Sequence, residues 1–320
     1  MQMKELKYEP TQKKRASTKL ALALSELEAA EVLLDKGFCR EAVFHMYFSS
    51  FYIGHALLVP HVRSNASHKP VERELHKRFG RRKGFPRRYI KLHSGLHNLR
   101  NELNYRSSHS PKPSDIQQRF RILFKYSRFV LKVVPQVGID DLLRSFVEDH
   151  AGTIKDFSFD IYCPQTYRHH TRLTLWQPPF YLDIFTPEQA CKNGRAFLKR
   201  LRVKKSEEYV LGLNSKLDQY SDKHLFMLDI DSLDKEVEAE LAKIGGILLK
   251  TGRGLHFIGS EVLDSGVSWR KALRAAKRNP NLKKHLDFAH IDISLQRGYS
   301  TLRITSGPTK TQVPFFFKEF

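Results

Sequence analysis

The chain has 320 residues, and its 55 Lys or Arg against 34 Asp or Glu leave a formal net charge of +21 at pH 7. Hydrophobic residues make up 41% of it, enough to bury a core and to exclude general disorder, while 17 Gly, 14 Pro and 3 Cys exclude collagen-like and disulfide-scaffold classes. Cys39, Cys163 and Cys191 are far apart with no CxxC, so a cysteine-built zinc module is excluded and no zinc is expected. Sparse thiols suit a reducing cytosol, no apolar run reaches the roughly 18 residues of a membrane span, and the start has no signal-peptide core, so a soluble cytoplasmic protein is expected. The length implies two domains, and the charge implies a polyanionic partner, DNA or RNA.

The first part of the chain has helical periodicity. Leu20, Leu24, Leu27, Glu31 and Leu34 follow helical spacing up to a stop at Gly37. A second helix is predicted from Arg40 to Val59, with Phe44, Phe48, Phe51 and His55 on one stripe and Pro60 ending it. After a basic stretch comes a third helix over Phe85–Arg106. Ser114 is placed to cap a fourth, whose stripe is Ile116, Phe120, Leu123, Ser127, Val130 and Val134. Four such helices make a bundle over residues 1–140.

From about residue 150 the pattern changes. Phe157–Tyr162 alternates with period two, as a half-buried strand does. A helix is predicted over Pro187–Leu201, a buried strand over Leu225–Asp231 and a helix over Leu233–Ile244. Strands Ile247–Lys250 and Leu255–Ile258 follow, joined by Thr251-Gly252-Arg253-Gly254, then a helix over Trp269–Arg278. His290–Leu295 and Tyr299–Thr305 read as a final hairpin, and Phe315–Phe317 as a terminal core strand. The expected fold class is multidomain α and α+β, with a mixed α/β domain over residues 150–320.

Chemistry concentrates in that second domain. In a strand Phe226-Met227-Leu228-Asp229-Ile230-Asp231, the two carboxylates share one face about 6 to 7 Å apart, a spacing that bridges divalent cations. The glycine-bracketed turn before Leu255-His256 lets backbone amides and Arg253 approach phosphates. In His290-Ile291-Asp292-Ile293-Ser294, period two puts His290, Asp292 and Ser294 on one polar face and makes Asp292 a third metal carboxylate. Arg303 and Lys310 add cations suited to a triphosphate.

The order of these segments, from DxD through TGRGLH to a later Asp, an Arg-bearing strand and a Ser-Gly-x-x-Lys-like turn, resembles the catalytic core of the archaeo-eukaryotic primase superfamily, which includes primase-polymerases. The resemblance spans roughly Phe157 to Pro314. It implies an RNA-recognition-motif-like catalytic sheet and a nucleotidyltransferase that extends a nucleic-acid 3′ end from nucleoside triphosphates with two Mg²⁺ or Mn²⁺ ions. Asp229, Asp231 and Asp292 fall at the family's metal carboxylates and His256 at its phosphate histidine. Thr251, Arg253, Arg303 and Lys310 fall near its nucleotide-binding positions. The zinc insert common in replicative primases has no cysteines to build it here.

Residues from about Thr18 to Pro135 resemble the HEPN superfamily. The carriers are the aromatic second helix, Ala42–Phe48 with His55–Leu58, and Leu99-Arg100-Asn101-Glu102-Leu103-Asn104-Tyr105-Arg106. The family's nucleases use an Arg and a His four to six residues apart, whereas His109 follows Arg100 by nine and Tyr105 stands in the zone of the His. The resemblance therefore implies a dimerising or RNA-gripping module, with Arg100 and His109 as the candidates if it cleaves.

Lys77, Arg78, Arg81, Arg82, Lys83, Arg87 and Arg88 make a basic run interleaved with Phe79, Phe85 and Tyr89, suited to phosphate neutralisation and base stacking. His93 and His97 stand i, i+4 without an evident third ligand, as helix-face histidines. His169-His170 is a basic loop. The expected function is thus a primase or polymerase acting in replication or repair, with DNA, RNA and nucleotides as partners and no membrane. Assembly is expected as a homodimer through the helical domain or within a larger replication or defence complex. The alternatives are a HEPN-type ribonuclease and a non-catalytic, primase-like binding subunit.

Overall fold

In the computed structural model, the described residues are 3, 6–63, 65–105, 111–138, 141–142, 145–146, 149–150, 157, 159–162, 210–217, 222–306 and 313–320. The expected helix over Pro187–Leu201 and the positions of Arg106, His109, Cys163, His169, His170, Cys191 and Lys310 lie outside them. The chain forms two compact units, Met1–Val137 and Gly138–Phe320. The whole is a mixed α+β protein, with eight helices and two small antiparallel sheets among the described residues. No helix there is long and apolar enough to cross a membrane.

The first unit is helical. Helix α1 (Pro10–Asp35) starts ten residues before the apolar stripe does, because Glu9 and Gln12 cap it reciprocally and Pro10 fits the first turn. Small residues on its buried face, Ala16, Ala23 and Ala30 among them, let α2 (Cys39–Leu58) approach closely. The basic stretch proves to contain a helix of its own, α3 (His68–Phe79). Its charged surface hides a buried stripe, Val71, Leu75 and Phe79, at i, i+4 and i+8. Helices α4 (Arg87–Tyr105) and α5 (Pro113–Val133) complete the unit. Ser114 does not cap α5: Lys112 holds the N-cap position with no side-chain hydrogen bond, and Pro113 begins the helix.

The second unit has two sheets. In one, β1 (Phe159–Tyr162), β2 (Val210–Asn214) and β6 (Thr301–Arg303) run in the order β1-β2-β6. In the other, β3 (His224–Ile230), β4 (Gly246–Lys250), β5 (Leu255–Leu263) and β7 (Phe315–Glu319) run in the order β3-β5-β4-β7. Phe315, Phe316 and Phe317 are buried in β7, so the terminal aromatic run is core. Helices α6 (Lys235–Ile244), α7 (Gly266–Arg278) and α8 (Phe288–Arg297) each open on a side-chain cap, from Asp234, Ser265 and Asp287.

Helix α8 overturns the expected hairpin strand over His290–Leu295. Asp287 Oδ1 accepts the His290 amide at 3.0 Å, and Gly298 closes the helix in the left-handed region at φ 89°. Ile291, Ile293 and Leu295 alternate over too few residues to define a period, and only Ile291 of the three is buried. The buried set His290, Ile291 and Ser294 is helical in spacing.

A buried polar network ties the three-stranded sheet together. Asp160 accepts from Asn214 Nδ2 at 3.1 Å and from the Tyr299 hydroxyl at 3.0 Å, while Thr301 Oγ1 donates to Asn214 Oδ1 at 2.7 Å. Every carboxylate oxygen of Asp160 thereby has a donor, which is the condition for burying it.

At the start of β3, His224 is buried with its ring stacked on Trp269, centroids 4.9 Å apart. Burial pushes its pKa down to about 4, against the pull of Asp222. The ring stays neutral in the folded unit and takes up a proton on unfolding. Its contribution is therefore complete above pH 6.5 and is lost as pH falls towards 4, by about 2 kcal/mol at pH 5. Urea unfolding followed by tryptophan fluorescence at pH 7.5 and 5.0 should show this loss in the wild type and a smaller one in His224→Phe. Equal losses in the two proteins would exclude His224 as the proton acceptor.

Candidate functional site

The candidate site lies where β3 and β5 end together. Their antiparallel register sets Asp229 directly opposite His256, with His256 Nε2 3.8 Å from Asp229 Oδ1. His256 is buried, Asp229 is partly open to solvent, and Asp231 is exposed just past the end of the strand. Period two makes Asp229 the inward neighbour of Asp231 while Ile230 is buried between them.

Asp231 is anchored through its backbone. Its amide donates to the His285 carbonyl at 2.7 Å. The His285 ring is held in turn by Ser232 Oγ at 2.7 Å from Nδ1 and by Asp234 Oδ2 at 3.0 Å from Nε2. Asp234 also caps α6, so one helix start fixes the loop that carries Asp231.

Across from this pair, the turn between β4 and β5 is closed by the Thr251 amide donating to the Gly254 carbonyl at 3.1 Å. Gly252 stands at φ 103°, a conformation that a side chain strains. Gly254 serves proximity instead: a Cβ there would lie 3.2 Å from the Ile230 carbonyl oxygen and 3.9 Å from Asp229 Oδ1. Arg253 is exposed at the tip of the turn. Thr251 is buried, and its Oγ1 has no hydrogen-bond partner among the described residues.

Three expectations change here. Asp292 is not a third carboxylate beside Asp229 and Asp231: it lies on α8, exposed, with its Oδ1 ion-paired to Lys277 Nζ. The carboxylate residue that the backbone brings against β3 is Asp287, whose amide donates to the Asp229 carbonyl at 3.2 Å. The Asp-x-x-His start of α8 is the signal that marks it. Arg303 is buried, and its guanidinium donates to the Thr251 carbonyl at 3.1 Å and to the Thr305 carbonyl. It braces the glycine turn from behind, as a positioning residue. Phe79, Phe85 and Tyr89 are buried core rather than stacking platforms, with Phe79 and Phe85 4.9 Å apart and Tyr89 stacked on Tyr126 at 4.5 Å.

The basic residues do reach solvent. Lys77 and Arg78 end α3, Arg81, Arg82 and Lys83 follow it, and Arg87 and Arg88 begin α4, all exposed. Arg78 is paired with Glu74 at 3.1 Å, whereas Arg82 and Arg88 lie over the buried rings of Phe79 and Tyr89. Of the two cleavage candidates, Arg100 lies over the rings of Tyr47 and Phe48. His93 is buried against Ser50 and His97 is paired with Glu72, so the i, i+4 histidines face different partners.

Among the described residues, no group of three or more His, Cys, Asp or Glu side chains is arranged to hold a metal. The donors at the strand end are hard carboxylate oxygens open to water, with a buried hydroxyl beside them. Such a set fits Mg²⁺ or Mn²⁺, which keep several waters and need only one or two protein carboxylates. No family model, curated protein or solved structure matches the chain.

Gly252→Ala and Gly254→Ala should each destabilise the second unit by about 1 kcal/mol, the first through backbone strain and the second through crowding at Ile230. Calorimetric midpoints a few degrees below wild type are expected for both, and unchanged midpoints would contradict this turn geometry.

Proposed function

We propose that the second unit is a nucleotidyltransferase of the primase-polymerase type, which adds nucleotides to a nucleic-acid 3′ end, and that the HEPN-like helical unit grips nucleic acid or dimerises. The observation that carries this reading is the pairing of Asp229 with His256 on adjacent strands beside a glycine turn bearing Arg253. Asp229 and Asp231 are the residues that would hold divalent ions. When bound, such ions acidify the attacking 3′-hydroxyl and neutralise charge on the triphosphate.

The remaining work falls to the protein's own groups. Arg253 and the turn amides suit charge-assisted hydrogen bonds to phosphate oxygens. Gly254 keeps the space beside Asp229 free of a side chain, and Arg303 holds the turn in place through the Thr251 carbonyl. Ser232, His285 and Asp234 fix the loop that aims Asp231. The exposed cations from Lys77 to Arg88 suit the backbone of the nucleic acid, by counterion release rather than by base stacking.

A second reading, a non-catalytic nucleic-acid-binding relative, draws support from the engagement of Asp292 by Lys277. Extension of a labelled primer, with Mg²⁺ or Mn²⁺ and either nucleotide set, separates the two. Asp229→Asn and Asp231→Asn should each reduce extension by at least 100-fold, a loss of about 2.7 kcal/mol or more in transition-state stabilisation. Asp292→Asn should extend as wild type does. Equal activity in all four proteins would refute the assignment, and a wild type that binds primer without extending it would leave the binding module.

Binding of a single-stranded oligonucleotide should weaken steeply between 50 and 200 mM salt. Replacing Arg87, Arg88 and Lys91 by Ala should lower the slope of log Kd against log salt by roughly two to three. Fluorescence anisotropy measures it, and an unaltered slope would place the strand elsewhere.

A further inference from the structure

The helical unit contains a second concentration of chemistry, independent of the carboxylates on β3. One face of α4 presents His93, His97 and Arg100 at i, i+4 and i+7, against Tyr47, Phe48 and Phe51 of α2 and His68 and Glu72 at the start of α3. The Arg100 guanidinium carbon lies 5.2 Å from the Tyr47 ring centroid and 5.7 Å from that of Phe48. His68 and His97 are 6.4 Å apart by ring centroid, each also against Tyr47.

The charge balance of this pocket is uneven. Arg100 has no carboxylate within ion-pairing distance among the described residues, and its buried Nε has no hydrogen-bond partner there. Glu72 is the pocket's carboxylate, and it is already engaged: His97 Nδ1 lies 3.2 Å from its Oε2. Burial works against the Glu72 anion, but hydrogen bonds with Ser94 and His97 outweigh it and hold its pKa below the usual range. A half-buried guanidinium resting on two aromatic faces, without an anion among the described residues, is an incomplete arrangement, because buried charges are ordinarily paired.

Each imidazole has one nitrogen engaged by a neighbouring side chain. Burial pushes the Tyr47 pKa up to about 12, so the hydroxyl stays protonated, and it shares a hydrogen bond with His68 Nδ1 at 2.5 Å. On His97, the Glu72 carboxylate accepts from Nδ1. Arg100, His68 and His97 thus place one permanent cation and two imidazoles beside the positive end of the α3 dipole.

We propose that Arg100, His68 and His97 form a phosphate-binding pocket in the helical unit, which takes a phosphate group either free, on a mononucleotide or within a nucleic-acid strand. A phosphate matches the planar guanidinium bidentately and accepts from imidazole donors. The half-exposed Phe48 ring stands beside it. The proposal does not draw on the spacing of four to six residues that marks the HEPN nucleases. It also stands whether or not the second unit joins nucleotides.

The test is calorimetric titration of the full chain in a chloride-free buffer with three probes: inorganic phosphate, adenosine 5′-monophosphate and a short single-stranded RNA. Saturable binding of at least one probe is expected. Arg100→Gln should weaken it at least tenfold and His68→Gln several-fold, with Arg100→Lys partly restoring it. The titrations are run without divalent metal, so the carboxylates of β3 hold no ion and the loss in the Arg100 and His68 variants reports this pocket apart from the nucleotidyltransferase reading. Circular dichroism and unfolding midpoints must show the pocket variants folded, and His97→Gln serves if Arg100→Gln is not. No saturable binding of any probe, or wild-type affinity in folded Arg100→Gln and His68→Gln, would overturn the proposal.

Discussion

The second unit depends on the antiparallel pairing of β3 with β5. That register places Asp229 against His256 and brings the glycine turn before β5 level with the end of β3. A shift by one residue would put Asp229 opposite an apolar neighbour and turn Ile230 towards solvent, at the cost of burying a carboxylate without a partner. The register is held from outside the two strands as well. The segment from His285 to Asp287 bonds to the carbonyl of Asp229 and the amide of Asp231, so the strand end cannot fray without releasing the start of α8.

Around that pairing, most polar side chains near the site act as supports. Arg303 braces Thr251, His285 braces the loop of Asp231, and the caps at Asp234 and Asp287 fasten two helices to the edge of β3. The site's side chains with solvent access are Asp229, Asp231 and Arg253. Rigid supports around a small open set are what a site for charged phosphates requires, since misplacement of a cation or carboxylate by an ångström weakens a directional interaction sharply.

The helical unit handles charge differently. Its exposed cations on α3 and α4 lie over a core of Phe79, Phe85, Tyr89 and Tyr126, so one basic stretch of chain makes both the surface and the packing beneath it. Arg100 departs from this pattern, because it is drawn inward onto aromatic faces instead of outward into water. The helical unit thus places its cations in two settings, an exposed basic face and a half-buried guanidinium against aromatic rings.

Much of this was legible in the amino-acid order. Helical periodicity marked α1, α2, α4 and α5. The strand of Asp229, the turn at Gly252 and the buried terminal phenylalanines were all readable from alternation and glycine placement. Helix α3 was hidden because half of its twelve residues are charged, although Val71, Leu75 and Phe79 carry the period. Helix α8 was misread because six alternating residues suit either period, and the cap at Asp287 with the stop at Gly298 decides for the helix only once both ends are weighed. The sequence alone therefore determined which residues are chemically equipped: the carboxylates of Asp229 and Asp231, His256, Arg253, and the basic run. Only the tertiary structure decided which of them meet, because the partner of a side chain depends on strand register and helix face. These moved Asp292 to Lys277, turned Arg303 into a brace, and gathered His68, His97 and Arg100 from two separate helices around Tyr47.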